Sequence, residues 1–570
     1  MRSAFFGRAR RVTTCTALAL SAGMLLASPA VADRGPRPVV EQPQRPVTPS
    51  KLDLSPLAGA SGTARTAGAT AVVAPRFDVD GDGRSDLIHR KWNGWTYVSA
   101  SASTAAHTVF ETAGSFLDLD LVPLGDQNGS GGPEVLSVSA NGVLRLYADA
   151  SATSGSLTWS GSGWNIYNKV FSPGDVDGDG HADVMARQHN GELYFYRWTG
   201  NATAPLAGRT KVGPGWGAYD QVVGLGDNDG DGKGDLLART PAGQVYFYGS
   251  TGDTASPFKP PKALATGWQV YNQVIAADDV NGDGHADLLA RDQNGALWGY
   301  NGRGGGTFTA RTMLTGDWRS VDQFGGAGNI PAAGKTAFLA RDRAGTLFWY
   351  GGLNNGKITA REQQGSTGGW AGANLSFVYA LDGGPIADLL EVYRGHLYNA
   401  ERDLGGGWQI YNLLVGPGDL SGDGKADLLA RDTAGVLWLY RGNGAGTGLA
   451  TRIRVGDGWS AYDRILGAGD FSGDGRADLV ARDRTGTLWL YKGTGSTTAS
   501  PFAGRVRIGT GWNTYNKLAA PGDLNGDGKA DLLGVNAAGE LYRYLGTGTG
   551  AAITSRARIG TGYQTYTDLY

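Results

Sequence analysis

GWQIYNLLVGPGDLSGDGKADLLARDTAGVLWLY, residues Gly407 to Tyr440, sets a nine-residue acidic loop between apolar runs. GWQIYNLL (Gly407 to Leu414) precedes the loop. ADLLARDTAGVLWLY (Ala426 to Tyr440) follows it as two apolar runs around a turn at Gly435, and TRIRVG (Thr451 to Gly456) comes after. These are four short segments rich in β-branched, aromatic and leucine side chains, bounded by Gly, Asp and Asn. Segments of that kind read as strands. The chain shows no sustained 3.6-residue apolar period, which leaves a helix without its signal.

The pattern recurs along the chain. Aligned on the loop, ten units begin at residues 78, 126, 175, 227, 279, 329, 382, 419, 470 and 523, about fifty residues apart except for an interval of 37 after 382. A period of that length points to stacked or radial repeats. Four short strands per unit, in a chain with 94 glycines, describe an all-β protein of ten β-propeller blades.

In seven units the loop reads Asp-x-Asp/Asn/Ser-Gly-Asp-Gly-x-x-Asp. Oxygen ligands at positions 1, 3, 5 and 9, with Gly at 6 for the sharp turn, match the front of an EF-hand calcium loop, without its Glu at 12. The candidate ligands are Asp78, Asp80, Asp82 and Asp86; Asp175, Asp177, Asp179 and Asp183; Asp227, Asp229, Asp231 and Asp235; and Asp279, Asn281, Asp283 and Asp287. The later units supply Asp419, Ser421, Asp423 and Asp427; Asp470, Ser472, Asp474 and Asp478; and Asp523, Asn525, Asp527 and Asp531. A lone Asp/Gly loop is equally well a turn whose side chains bond their own backbone. Seven copies at a fixed period favour calcium. Crowded carboxylates repel and a divalent ion cancels them, so these sites are expected to be mainly structural. Unit 2 keeps a weaker set (Asp126, Asn128, Ser130, Glu134); unit 6 (Asn329, Pro331, Ala333, Ala337) and the shortened unit 7 are expected to be empty.

Units 2 and 7 are irregular in the same ways. Both carry a Gly-Gly-Pro loop (GSGGPE at 129–134, DGGPIAD at 382–388) and both lose the Tyr-Asn pair before it. Both place Val (Val138, Val392) where seven of the other eight units have Arg90, Arg187, Arg239, Arg291, Arg341, Arg431 or Arg482; unit 10 also has Val535. Matching lapses five units apart predict a duplicated module: two tandem five-bladed propellers, residues 71–325 and 326–570. Unit 1 begins at PRFDVDGDG without its first strand. GDWRSVDQF (Gly316 to Phe324) would complete the first ring and GYQTYTDLY (Gly562 to Tyr570) the second. A single ten-bladed ring also accounts for the terminal strand but exceeds the usual four to eight blades.

Residues 1–32 have a basic start, an apolar stretch and Ala30-Val31-Ala32 before the cut, the pattern of a secretory signal peptide. Residues 33–70 show no apolar periodicity and read as a disordered leader. The one cysteine, Cys15, would leave with the signal, so the exported chain has no thiol chemistry and no disulfides. Losing four arginines takes the formal charge from −2 to −6. No basic patch suits nucleic acid, and no later apolar run is long enough for membrane insertion. A secreted, extracellular protein is expected.

On these residues the units resemble the VCBS/FG-GAP repeat family, whose calcium-loop blades also build integrin α-subunit propellers. The signature is nearest at Phe324-Gly325-Gly326-Ala327-Gly328; elsewhere the place reads SPGD, GLGD or GAGD. The G-W-x-x-Y-N segment is also similar to blades of tachylectin-like lectins. The resemblance covers about residues 71–570 and implies a calcium-stabilised propeller.

The chain has no HExxH and no GxSxG, and its six histidines are scattered. No catalytic residue is assigned. For binding, the candidates are Trp164, Trp216, Trp268, Trp408, Trp459 and Trp512 of the G-W-x-x-Y segments, since aromatic faces stack on sugars and Gly precedes each ring. The plainer reading is that such rings fill the space between blades and that the repeat Arg pairs with a neighbouring carboxylate. The leading expectation is lectin-like binding of a glycan or cell-surface polymer, with calcium. A protein-binding scaffold and a polysaccharide lyase working from a propeller channel stay open.

Overall fold

The computed structural model describes residues 51–58 and 75–570, apart from 92–93, 104, 106, 112–117, 140–141, 202, 293, 315, 332–334, 354–355, 385 and 526–527. Among these residues the protein is all-β: ten four-stranded antiparallel sheets, with 3-10 turns and no α-helix. The eighth sheet holds the stretch quoted above. From inner to outer edge it runs Tyr411–Gly418, Asp427–Asp432, Leu437–Tyr440 and Ile453–Gly456. The acidic loop joins its first two strands. The tryptophan lies outside the first strand, contrary to the strand reading of G-W-x-x-Y. Trp408–Ile410 forms a 3-10 turn entered through Gly407 at φ 94°, a left-handed conformation that favours glycine, and the strand starts at Tyr411.

The second strand is buried on both faces because each sheet is sandwiched between two others, so Leu428, Leu429 and Ala430 run as an unbroken apolar series. The core is divided among the seams. Val378, Leu390 and Leu397 of the seventh sheet meet Trp408, Leu414, Leu428 and Ala430 of the eighth.

Eight sheets are built from consecutive strands. In the first, the inner strand Val321–Phe324 pairs with Leu87–Lys91. In the sixth, the inner strand Tyr566–Leu569 pairs with Ala337–Asp342. Both are the segments expected to complete these units. Beyond Phe324 the backbone runs on among the inner strands of the first five sheets. Gly326 N donates to Leu121 O (2.8 Å), Gly328 N donates to Val274 O (2.9 Å) and Gly328 O accepts from Val222 N (2.8 Å). A Cβ at Gly325 would sit 2.5 Å from Ile88 and one at Gly328 would sit 2.4 Å from Val223, so this approach needs glycine. The segment carrying the nearest match to the family signature is thus packing material for the middle of these sheets.

The leader departs from expectation at residues 51–58. Leu52, Leu54 and Leu57 are buried with Leu87 of the first sheet, Leu297 of the fifth, Leu314 and Trp318, and Leu57 O accepts from Asn301 Nδ2 (2.9 Å). Three leucines are too few to show a period, yet they suffice to fill the seam between these sheets. The expected signal, residues 1–32, lies outside the described residues.

Candidate functional site

The seven acidic loops share one framework. The position-1 carboxylate accepts two glycine N–H groups: Gly178 N donates to Asp175 Oδ1 (2.6 Å) and Gly180 N to Oδ2 (2.7 Å). The position-9 carboxylate accepts from position 2 and from the end of the third strand: Val176 N (3.1 Å) and Trp198 N (3.0 Å) both donate to Asp183. The same pattern holds at Asp287, with Val280 and Gly302, and at Asp478, with Phe471 and Gly493. Position 9 therefore ties the loop to its own sheet.

These acids are held under charge strain. Burial pushes the pKa of Asp86, Asp183, Asp235, Asp427 and Asp478 up to about 7 and that of Asp287 to about 8, and neighbouring loop carboxylates add to the rise. A divalent cation would relieve it. Ligand atoms of Asp78, Asp80 and Asp86 lie within 4.8 Å of one another, as do those of Asp175, Asp177 and Asp183, and of Asp227, Asp229 and Asp235. In other loops the position-3 oxygen is neutral, and Ser472 Oγ and Asn525 Oδ1 are buried without a hydrogen-bond partner. An orphaned oxygen at a ligand position is what a missing ion leaves behind. The donor set, all oxygen, suits calcium.

Asp82, Asp179 and Asp231 of position 5 stand outside the triplets: Asp82 accepts from Ser101 Oγ (2.6 Å), while Arg197 pairs with both Asp177 and Asp179 (2.8 Å each) and Lys259 with both Asp229 (3.3 Å) and Asp231 (3.2 Å). Asp527 lies outside the described residues. In unit 2, Asn128 Nδ2 donates to Glu134 (2.7 Å), and burial raises the Glu134 pKa to about 6.

The repeat arginine joins one sheet to the next. The expected carboxylate pairing is found at Arg239–Asp220, Arg341–Asp568 and Arg482–Asp463, each 2.6 Å; Arg187, Arg291 and Arg431 use Asn168, Asn272 and Asn412 instead. Except for Asp568, which stands two residues after Tyr566, this partner is the residue after the repeat Tyr, which explains the Tyr-Asn signature. The free end of the guanidinium then reaches the following sheet. Arg239 Nη1 donates to Trp268 O (2.7 Å) and Tyr271 O (2.5 Å), the two ends of the next 3-10 turn. Arg291 of the fifth sheet makes the same pair of bonds to Trp318 O and Val321 O, at the entry to the first sheet's inner strand.

Trp164, Trp216, Trp408, Trp459 and Trp512 are buried in these seams and Trp268 is half-buried. Each ring lies 4.5–4.9 Å from a Tyr of the third strand. Each backbone N–H donates to a glycine carbonyl in the preceding sheet's hairpin, as Trp408 does to Gly395 (2.9 Å). The third-strand rings Trp298, Trp438 and Trp489 are covered by Arg311, Arg452 and Arg505, 4.1 Å away.

A residue that sequence reading missed is Arg76. Its backbone N and its Nε donate to the two oxygens of Asp278 (2.7 Å each), and its guanidinium also donates to Ser172 O (2.7 Å) and Gly224 O (3.0 Å), so one side chain spans three sheets. It precedes the first loop and repeats nowhere, so no periodic signal exposes it.

A cavity of about 570 Å³ lies where the third and fourth sheets meet the loops of the eighth to tenth. Trp164, Asn165, Asn168, Tyr219 and Asp220 line one side; Asp419, Asp470 and Arg476 line the other. Of the six candidate tryptophans, Trp164 alone lines this cavity. His189 closes one edge, where a methyl group on Gly475 would meet its ring at 2.0 Å.

Radially bonded four-stranded sheets with acidic loops at one end define the class: a β-propeller of repeated blades. The FG-GAP-like repeat model matches residues 175–238, 419–481 and 470–534, so the chain carries FG-GAP-like repeats. No curated protein matches the chain. Among solved structures it is similar to the BP39L lectin from Burkholderia pseudomallei, at 13% identity over 78% of this chain and 100% of that one, with TM-score 0.25. It is also similar to Sqt1 from Saccharomyces cerevisiae, at 10% identity over 78% and 96%, with TM-score 0.22.

Proposed function

We propose that this is a secreted, calcium-stabilised tandem of two five-bladed propellers, residues 71–325 and 326–570, that binds a glycan and catalyses nothing. The two-ring reading is supported by Val321–Phe324 and Tyr566–Leu569, which pair back onto the first strands of the first and sixth sheets. Calcium, held by loop positions 1, 3 and 9, would neutralise the crowded carboxylates and fix each loop against its sheet.

The observation that carries the glycan reading is the cavity beside Trp164. Aromatic faces (Trp164, Tyr219) stand there with the Asn165 side-chain amide, beside Asn168 and Asp220 that Arg187 and Arg239 hold in place. A glycan array with the full chain, with and without EDTA, tests this. Binding is expected in calcium, with loss of about tenfold or more on Trp164→Ala at an unchanged circular dichroism spectrum. Binding to no glycan would overturn the reading, and release of unsaturated ends from a polysaccharide would overturn the claim of no catalysis.

A further inference from the structure

The inner strands of the last five sheets enclose a second cavity, of about 380 Å³, separate from the one beside Trp164. Four cations line it, Lys335, Arg431, Arg464 and Lys517, of which Arg431 is held by Asn412 and by the Trp459 and Tyr462 carbonyls. Its two acids are already engaged, Asp463 by Arg482 and Asp568 by Arg341, each at 2.6 Å. Arg464 donates only to backbone, to Asp463 O (2.8 Å) and Asn516 O (3.1 Å). Lys335 is buried, 6% exposed, and its ammonium faces the Phe377 ring at 5.5 Å with no carboxylate paired to it among the described residues. Burial alone pulls its pKa down to about 7. A buried ammonium without a counter-charge is costly and invites an anion.

The matching layer of the first five sheets shows what a closed version looks like. Opposite the repeat Arg or Val position stand Asp120, Lys169, Gln221, Gln273 and Gln323 there, and Asn374, Leu413, Arg464, Lys517 and Asp568 in the last five. In the first five, Lys169 pairs with Asp120 (2.6 Å), the glutamine Gln323 bonds Asn329, and the Gly325–Asn329 backbone occupies the space between. In the last five the layer stays open, and its one acid, Asp568, is paired with Arg341.

We propose that this second cavity binds a compact organic anion, its carboxylate or phosphate directed at Lys335 between Arg464 and Lys517. The volume suits one sugar-sized molecule. The site does not rest on the glycan reading, because it uses none of the residues near Trp164.

Calorimetric titration of the full chain in calcium tests it, with glucuronate and glucose 1-phosphate as probes and methyl glucoside as the neutral counterpart. At least one anion is expected to bind, and whichever binds identifies carboxylate or phosphate as the recognised group. Methyl glucoside is expected to give no heat that Lys335→Met alters. Lys335→Met and, separately, the pair Arg464→Gln with Lys517→Gln should each weaken the anion about tenfold or more. The paired variant lies at the mouth and leaves the buried position intact, so it keeps the test valid if Lys335→Met fails to fold. Binding of neither anion, or anion binding unchanged in the variants that fold, would overturn the proposal.

Discussion

Arg239 shows how a single side chain joins two sheets here. Its guanidinium is fixed by Asp220 on its own sheet and satisfies both carbonyl ends of the next sheet's 3-10 turn. Arg239→Met removes the bonds but leaves Asp220 and two carbonyls without partners. The expected cost is about 3 kcal/mol, read as a lower denaturation midpoint. The loop aspartates give a second prediction at this scale. Asp287 has a pKa near 8 in the metal-free fold and about 4 when unfolded, so the fold takes up protons between those values. The metal-free protein should therefore lose stability as pH rises from about 4 to 8, and gain calcium affinity over the same range. Melting in chelator at pH 5 and pH 8 checks it; a higher melting temperature at pH 8 would refute it.

At the scale of elements, the loops and the threaded Gly325–Asn329 segment do complementary work. Each loop ends on a position-9 carboxylate bonded just past the third strand, so a bound ion's charge would act on the whole sheet through that residue. Removing calcium should lower the melting temperature, by an amount that grows with the free calcium originally present. An unchanged value would refute the structural role of the loops. The threaded segment depends on missing side chains. Gly328→Val would press against Val223 and the Val222 backbone, at an expected cost of about 1–3 kcal/mol by chemical denaturation.

At the scale of the whole molecule, closure depends on strands far from the sheets they complete. Val321–Phe324 joins a sheet that begins at Leu87, and Tyr566–Leu569 joins one that begins at Ala337. A chain ending at residue 561 should lose the sixth sheet's inner edge along with the Arg341–Asp568 pair. It should unfold at markedly lower denaturant in its last five sheets while the first five keep their transition. A fragment of residues 51–329 should fold cooperatively by itself, and one of residues 51–320 should not. Coincident loss of both halves in the 561 truncation would speak for one ring.

Repetition explains what was legible beforehand. Strands, loops and the completing segments at 316–324 and 562–570 recur or are conspicuous by absence, and a periodic pattern exposes both. The Tyr-Asn pair and the repeat Arg were visible as letters, but their joint task needed the distance between one sheet's second strand and the next sheet's turn. Non-repeating devices left no such trace: Arg76 across three sheets, Leu52, Leu54 and Leu57 in a seam, and the unpaired Lys335.

The amino-acid sequence alone determined the blade, its number and its acidic loop, because local hydrophobic pattern and turn chemistry act within fifty residues. Tertiary structure alone decided that the tryptophans lie in seams, that Gly325–Asn329 fills the middle of the first five sheets, and that the middle of the last five stays open and positive. Those outcomes depend on which side chains meet across sheets, and contacts between residues hundreds of positions apart have no period to read.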